Sequence, residues 1–148
     1  MTTKNSRAAN EAQIRALIED RTKAVQRKDS VAATSSNAPD MLTFDVVNPL
    51  QRIGSDASRE RAAEWFSSFQ GSIGHEIRAL DITAGEDVAF SHGLCHVNAM
   101  TTDGRLVDMW WRTTICFCKL DGNWMVTHEH NSVPFDVKSG KASLDLKP

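Results

Sequence analysis

The chain lacks the features of a membrane or secreted protein. None of its apolar runs reaches the roughly 20 residues that a bilayer-spanning helix needs. Residues 1–10 are polar and contain no apolar signal-peptide core. The only cysteines are Cys95, Cys116 and Cys118, an odd number that is typical of reduced thiols rather than of a disulfide framework. We therefore expect a cytoplasmic protein without a membrane segment.

An excess of charge of one sign is also missing. The 17 basic and 19 acidic residues are interspersed and leave a net charge of −2. Without a basic stripe, nucleic-acid binding is not expected, and a neutral or mildly anionic small ligand is favoured over a polyanion. The apolar fraction of 41% and the charged fraction of 24% are those of a folded domain. The length fits a single domain over residues 1–148, with an ordered core at about 7–136.

What the first half does contain is helical periodicity. A first helix at about residues 7–26 is predicted by apolar spacing of three and four that places Arg21 in line with Leu17 and Val25. Asp29 is the expected N-cap of a short second helix. A strand at 41–47 follows, and then a third helix that begins at Asp56 or Ser58 and ends at Gly71. The apolar face of this third helix consists of Ala62, Trp65, Phe66 and Phe69.

The second half alternates with a period of two. Strands are predicted at 77–83, 88–100, 107–119 and 124–133, and the turns between them include two Asp-Gly pairs, which are typical of hairpins. Because one face of such a sheet must be buried, the helices have to cover it. The pattern therefore predicts an α+β fold: three N-terminal helices on a curved, mixed or antiparallel sheet, a cone that encloses a pocket.

The order of elements and the segment D-G-N-W-M-V-T-H-E-H-N-S-V-P at 121–134 resemble the nuclear transport factor 2-like superfamily, a cystatin-like fold. Within it, the chain is most similar to SnoaL-like and ketosteroid isomerase-like proteins. The final segment is also similar to the association domain of calcium/calmodulin-dependent kinase. The resemblance covers residues 14–134. It implies a small-molecule pocket, but this superfamily includes isomerases, cyclases, dehydratases and domains that only bind or assemble.

The resemblance also implies roles for two residues. The segment 45–54 has the length of the isomerase segment that runs from the catalytic aspartate to the glycine before the third helix, which makes Asp45 the general base. The oxyanion tyrosine of the isomerase falls at Arg21, and this chain has no tyrosine. The carboxylic acid that completes the oxyanion hole of the isomerase corresponds to a position within one residue of Thr114. Without both donors, authentic ketosteroid isomerisation is not expected, and Arg21 favours an anionic carboxylate or enolate.

A buried arginine needs a partner. For Arg21 the candidates are Asp45, Asp108 and Glu129, and such an ion pair is as compatible with the pattern as ligand binding. Four aromatic residues are expected to be mostly core, with one or two lining the pocket: Trp65, Phe66, Trp110 and Trp111. Trp110 and Trp111 are adjacent in a strand and point to opposite faces, so the outer one indicates a dimer interface.

The orientation of the last strand is left open by the pattern. Hydrophobicity directs Trp124 and Val126 inward, together with His128 and His130, whereas the resemblance directs Asn131 inward together with Glu129. We favour the second orientation, in which Glu129 needs a cation from Arg112 or Arg21. All five polar residues are candidate ligand contacts: Arg112, His128, Glu129, His130 and Asn131.

These observations predict a cofactor-free enzyme that abstracts and returns a proton next to a carbonyl, in an isomerisation, cyclisation or dehydration. Asp45 would be its base and Arg21 its anion stabiliser. The alternative is a non-catalytic binding or assembly domain of the same fold. A third hypothesis is a metal-assisted enzyme that uses His128 and His130, although no metal or other cofactor is expected. The expected partners are a small-molecule ligand and a second copy of the chain.

Overall fold

The computed structural model describes residues 3–148, and within them it contains three helices and six strands. In chain order these are α1 Lys4–Gln26, α2 Ser30–Ala33, β1 Asn37–Phe44, β2 Arg52–Ile53, α3 Ser55–Ser67, β3 Phe69–Ala84, β4 Val88–Thr101, β5 Leu106–Leu120 and β6 Asn123–Ser132. The strands form one sheet in the order β2-β1-β6-β5-β4-β3. All pairs are antiparallel except β1 and β6, so the sheet is mixed. This confirms the predicted α+β class. No helix in the described part is long and apolar enough to cross a membrane.

The N-terminal helices begin where side chains can cap them. The hydroxyl of Thr3 accepts the backbone N–H of Ser6 at the start of α1. Asp29 accepts the N–H of Ala32 at the start of α2, as predicted. Both bonds satisfy backbone donors that the first helical turn leaves free. The apolar stripe of α1 then lies against the sheet, with Ile14 and Ile18 buried.

The boundaries of α3 and β3 differ from the prediction. The N-cap of α3 is Gly54, so the helix begins before Asp56 and Ser58 and has no side-chain cap. The φ of +101° at this position is one that glycine adopts readily. Phe69 is the first residue of β3 and not part of the helix, and Gly71 lies inside the strand. Polar residues around Gly71 hide the alternation in the sequence. Pairing with the end of β4 extends the strand nonetheless.

A bulge in β3 contributes to the curvature of the sheet. In β3 the register with β4 shifts between Arg78 and Asp81, and Ala79 adopts a φ of +55°. Gly93 on β4 lies beneath this bulge, where a Cβ atom would come within 2.8 Å of Cγ2 of Ile77. A bulge bends its strand and increases the local twist. Glycine at position 93 therefore lets β3 fold closely over β4.

A second bulge changes the orientation of side chains along β6. Phe117 pairs with Val126, but Cys116 pairs with His128, so that Thr127 is the extra residue. Trp124 and Val126 are consequently buried on the inner face before the bulge, and Glu129 points inward after it. Each of the two alternative orientations is therefore correct for one half of the strand. The two-residue turn at Asp121-Gly122 sets the first half, and the bulge resets the second.

The core has two parts. The packed cluster consists of Ile14, Ile18, Met41, Ile82, Ala84, Ala89, Ile115, Phe117, Trp124 and Val126. The cavity cluster consists of Ala24, Ala33, Phe66, Phe69, Ile73, Val97 and Ala99, together with partly buried neighbours such as Trp65 and Trp111. Ala33, Phe66 and Val97 of the second cluster line the cavity described next, together with Ile18 and Ile115 of the first.

Candidate active site and ligand pocket

A cavity of about 250 Å³ lies between the helices and the inner face of the sheet. Its size is near the lower end of ligand pockets, which span roughly 300–1,000 Å³, so it suits a small molecule. Three predicted aromatic residues contribute to its wall: Trp65 and Phe66 from α3, and Trp111 from β5. Their rings meet edge to face or tilted, with Trp65 and Trp111 centroids 6.2 Å apart. The cavity thus has a rigid aromatic side.

Arg21 and Glu129 form an ion pair on the cavity wall. Nη2 of Arg21 lies 3.1 Å from Oε2 of Glu129, and the two side chains are 16% and 20% exposed. Nε of Arg21 also donates to the carbonyl of Ala33. Of the three candidate partners of Arg21, Glu129 is therefore the one that the fold supplies. The pair fixes both groups in a partly buried site, where their charges offset each other.

Asp45 also lies on the cavity wall, immediately after β1, but it is not free. Oδ2 is 3.0 Å from Nη1 of Arg52, and the backbone N–H of Val46 donates to Oδ1 over 2.7 Å. Nε of Arg61 is 3.4 Å from Oδ2, although it is not aligned for a hydrogen bond. Both carboxylate oxygens are thus occupied, which weakens the expected role of Asp45 as an unengaged base.

Arg52 and Arg61 were missed by the sequence analysis. Arg52 lies on the short strand β2, which the pattern does not reveal because it has only two residues. Arg61 had a usable signal, since it precedes Trp65 by four residues and so shares the inner face of α3. Together with Arg21 they place three arginines against two carboxylates, Asp45 and Glu129, on the wall.

Several buried polar atoms on the wall have no hydrogen-bond partner within residues 3–148. They are the side-chain nitrogen and oxygen of Asn37, the hydroxyl of Thr43 and the side-chain oxygen of Asn131. Leaving such a group unpaired costs about 1–3 kcal/mol. The residues line the cavity, but these atoms lie just behind its surface, so a bound molecule reaches them through a small shift of the wall side chains.

His75 is a further wall residue that the sequence analysis missed. Its Nδ1 donates to the carbonyl of His96 over 3.1 Å, and its ring stacks on Trp111 with centroids 5.8 Å apart. Burial is the main cause that lowers the pKa of His75 below its usual 6.5. The available signal was the alternation Ile73, His75, Ile77, which places all three on one face of a strand.

Three predicted ligand contacts are wrong, because they lie on the outer face of the sheet: the bulge at Thr127 turns His128 and His130 outward, and the alternation of β5 turns Arg112 outward. His128 binds the carbonyl of Leu42 through Nδ1 over 2.7 Å and packs edge-on against Phe44. His130 is exposed, and Arg112 donates to the hydroxyl of Ser132. Glu129 takes its cation from Arg21 and not from Arg112. Within residues 3–148, no three His, Cys, Asp or Glu side chains converge as metal ligands.

The neighbouring strand β5 follows its predicted alternation. Trp111 faces the cavity, and Trp110 lies on the outer face, where it stacks on His96 with centroids 4.3 Å apart. The guanidinium of Arg78 covers Trp110 at 4.7 Å from the ring centroid. At the position compared with the partner acid, Thr113 and not Thr114 faces the cavity. The inner wall there carries a hydroxyl and no carboxylic acid.

Comparisons with known proteins agree with this architecture. An NTF2-like protein of unknown function from Pseudomonas putida KT2440 is 32% identical, with a TM-score of 0.86 over 95% of this chain and 98% of that chain. A ketosteroid isomerase-like protein from Erwinia carotovora atroseptica shares the fold at 18% identity, with a TM-score of 0.71 over 83% and 95% of the two chains. The association domain of C. elegans CaMKII does so at 17% identity, with a TM-score of 0.66 over 86% and 98%.

A search of curated proteins found no relative. The model of the SnoaL-like domain matches residues 14–136, which is most of the chain and includes every wall residue discussed above. The cone-shaped sheet, the covering helices and the family match lead to the same conclusion: the chain belongs to the SnoaL-like family of the NTF2-like superfamily.

Proposed function

We propose that the protein binds a small organic molecule with carbonyl or similar polar groups inside the cone. The observation that carries this proposal is the cavity of about 250 Å³, whose wall combines aromatic rings with the polar side chains of Asn37, Thr43 and Asn131. Amides and hydroxyls both donate and accept hydrogen bonds, so they suit carbonyl and hydroxyl groups. The aromatic side of the wall supplies the apolar contact that a small ligand also needs.

The charges of the wall define the ligand further. Three arginines and two carboxylates face the cavity, which leaves one positive charge in excess. Arg21 and Glu129 are paired, whereas Arg52 and Arg61 share Asp45. A neutral or singly anionic ligand fits this balance, because a guanidinium forms charge-assisted hydrogen bonds with a carboxylate or an enolate.

The second candidate is a cofactor-free isomerase, cyclase or dehydratase with Asp45 as base and Arg21 as anion stabiliser. It is favoured by the position of both residues on the cavity wall. Proteins of the same fold include a putative dehydratase from Streptomyces avermitilis and the ketosteroid isomerase-like protein above. Asp45 would first have to leave Arg52. Asp45→Asn should abolish turnover of an identified substrate and keep the fold, and unchanged turnover would rule out this role.

We also propose that the protein is located in the cytoplasm and forms a homodimer through the outer face of the sheet. Phe90 is 44% exposed and Val88 63% exposed there, and the same face carries the partly buried rings of Trp110 and Phe44 farther across the sheet. Apolar patches on an exposed sheet face are typical of protein interfaces. The three cysteines are free thiols, which fits a reducing compartment. Light scattering of wild type and Phe90→Lys tests the dimer, and two monomers of equal mass would contradict it.

The test of ligand binding uses two buried hydroxyls that differ in position. Thr43 lies on the cavity wall and Ser91 does not, and neither hydroxyl has a partner within residues 3–148. Carbonyl-containing fragments are screened by ligand-observed NMR, and the Kd of each hit is measured by calorimetry. Thr43→Val should weaken binding about five- to tenfold, the loss of one hydrogen bond, and Ser91→Ala should leave it unchanged. Equal Kd values in all three proteins, or no bound fragment, would contradict the proposal.

A further inference from the structure

We infer that His75 is the proton acceptor of the cavity and acts as a general base on a bound carbonyl compound. The inference rests on the proposed function, since it requires that a carbonyl compound occupies the cone. It assigns the base to an imidazole on β3 and not to the carboxylate of Asp45.

The tautomer of His75 follows from its hydrogen bond. The carbonyl of His96 can only accept, so the proton of the neutral ring resides on Nδ1. Nε2 then carries the lone pair, and none of the side-chain hydrogen bonds within residues 3–148 involves it. Stacking on Trp111 and the bond to His96 hold the ring in one orientation on the cavity wall. A base fixed in this way is ready to accept a proton.

The surroundings keep the ring neutral near pH 7. Burial lowers the pKa of His75, which is the largest influence on it. The charged and titratable groups that act on the ring are Glu129 from β6, Arg21 from α1 and His96 from β4. Glu129 raises the pKa of His75 and Arg21 lowers it, because their charges are of opposite sign. The two charges lie side by side, so their effects on the ring oppose each other. An imidazole whose pKa is lowered from 6.5 is unprotonated at pH 7, so its free nitrogen can accept a proton.

Asp45 differs from His75 because its carboxylate is already engaged in hydrogen bonds. Its two oxygens are occupied by Arg52 and by the backbone N–H of Val46. A substrate proton would therefore have to approach Asp45 beside Arg52 or the N–H of Val46. Nε2 of His75 takes part in none of the side-chain hydrogen bonds within residues 3–148, so the imidazole is the better placed acceptor.

The proton transfer needs no further reagent. Nε2 takes a proton from the carbon next to the ligand carbonyl, and the C–H electron pair forms the C=C bond of an enolate while the carbonyl electrons move to oxygen. The guanidinium of Arg21, on the same wall, is the donor for that oxygen. The imidazolium returns the same proton to the far carbon of a conjugated dienolate. The net change is a double-bond shift, in which nothing is oxidised or reduced.

The test uses 3-cyclohexen-1-one as the probe and follows its conversion to 2-cyclohexen-1-one by absorbance. His75→Gln should lower the rate about 10²- to 10⁴-fold, the usual contribution of a general base. The control is His92→Gln, since His92 is exposed on the outer face and pairs with Asp81. It should keep the wild-type rate. Binding of the probe to all three proteins is measured separately by saturation-transfer NMR.

A second measurement does not depend on the variant folding. Nitrogen-15 NMR of the wild-type imidazoles, with His75 assigned from the variant or by triple resonance, should show a protonated Nδ1 and a free Nε2 at pH 7. A proton on Nε2, a ring that is charged at pH 7, or an unchanged rate in His75→Gln would overturn the inference. A probe that binds to wild type without conversion would also overturn it but leave the proposed function standing. A probe that does not bind would contradict the proposed function itself, and the nitrogen spectrum then decides the state of His75 alone.

Discussion

The packed cluster and the cavity cluster are built from the same kinds of residues but serve different ends. In the packed cluster, Phe117 and Val126 are almost completely buried against other apolar side chains. In the cavity cluster, Trp65 and Trp111 are only partly buried and border about 250 Å³ of space. Close packing is what makes a core side chain stabilising, so the first cluster contributes most to stability.

The polar groups are divided less sharply, since Nε1 of Trp124 in the packed cluster is also buried without a partner within residues 3–148. The unpaired atoms of Asn37, Thr43 and Asn131 and the ion pair of Arg21 with Glu129 all lie on the cavity wall. Unpaired buried groups reduce stability, and more of them lie beside the cavity than in the packed cluster. Substitutions in the two clusters should therefore have different consequences.

The largest expected effect is the loss of a packed aromatic ring. Phe117→Ala should lower the free energy of unfolding by about 3–5 kcal/mol, because it removes a fully buried ring and leaves a void. Phe66→Ala makes the same change beside the cavity and should cost less, since Phe66 already borders open space. Urea unfolding measures both values. Equal losses would break the distinction between the clusters.

Glu129→Gln should have the next largest effect. It leaves Arg21 partly buried without its anion, and we expect a loss of about 1–3 kcal/mol, below that of a fully buried pair because both side chains keep some exposure. The control is Arg105→Gln, which breaks an exposed pair with Asp103 and should change stability by less than about 0.5 kcal/mol. Thermal and urea unfolding of both variants test this order. A loss no larger than that of the control would show that the cavity pair is energetically like a surface pair.

Thr43→Val should raise stability, by about 1 kcal/mol. The substitution keeps the shape of the side chain and removes a buried hydroxyl that has no partner within residues 3–148. The same substitution at Thr127 removes a hydroxyl that donates to the carbonyl of Cys116, so Thr127→Val should give no gain. Urea unfolding distinguishes the two. If both variants gained equally, the effect would come from valine itself and not from the unpaired group.

The pH dependence of stability should report His75. Because the pKa of His75 is lower in the folded than in the unfolded state, the unfolded chain binds more protons just below pH 6.5. The contribution of His75 to the free energy of unfolding is therefore fully present above pH 6.5. It declines as the pH falls toward the pKa of His75 in the folded state. His75→Gln should lose less stability than wild type between pH 7.5 and 5.5, whereas His92→Gln should follow wild type. Parallel curves for all three proteins would contradict the lowered pKa.

The smallest expected effect concerns Cys95, which is buried within the sheet. Burial raises the pKa of its thiol to about 12, so it stays protonated at pH 8. Iodoacetamide should modify Cys95 only after unfolding, as mass spectrometry of the native and the urea-unfolded protein would show. Native modification of Cys95 as fast as that of the partly exposed Cys116 would indicate that β4 opens readily.

Local patterns in the chain were sufficient to predict the fold class and much of the cavity wall. Apolar spacing of three and four predicted the helices, with Arg21 on the inner side of α1, and alternation with Asp-Gly turns predicted the four-strand meander. Alternation also separated Trp111 from Trp110. These features depend on local periodicity, which the sequence displays directly. The resemblance added the inward direction of Glu129 and Asn131.

The orientation along β6 and the contacts of the charged wall residues depend on tertiary structure. The bulge at Thr127 lets Val126 and Glu129 face the same side, and no period of two can express this. The partners of Arg21 and His75 belong to elements that are distant in the chain, so spacing could not reveal them. Asp45 pairs with Arg52 on a strand of only two residues, which has no period to detect. Strand register and the packing of helices on a curved sheet fix these contacts, because each depends on where several elements meet and not on the pattern of one of them.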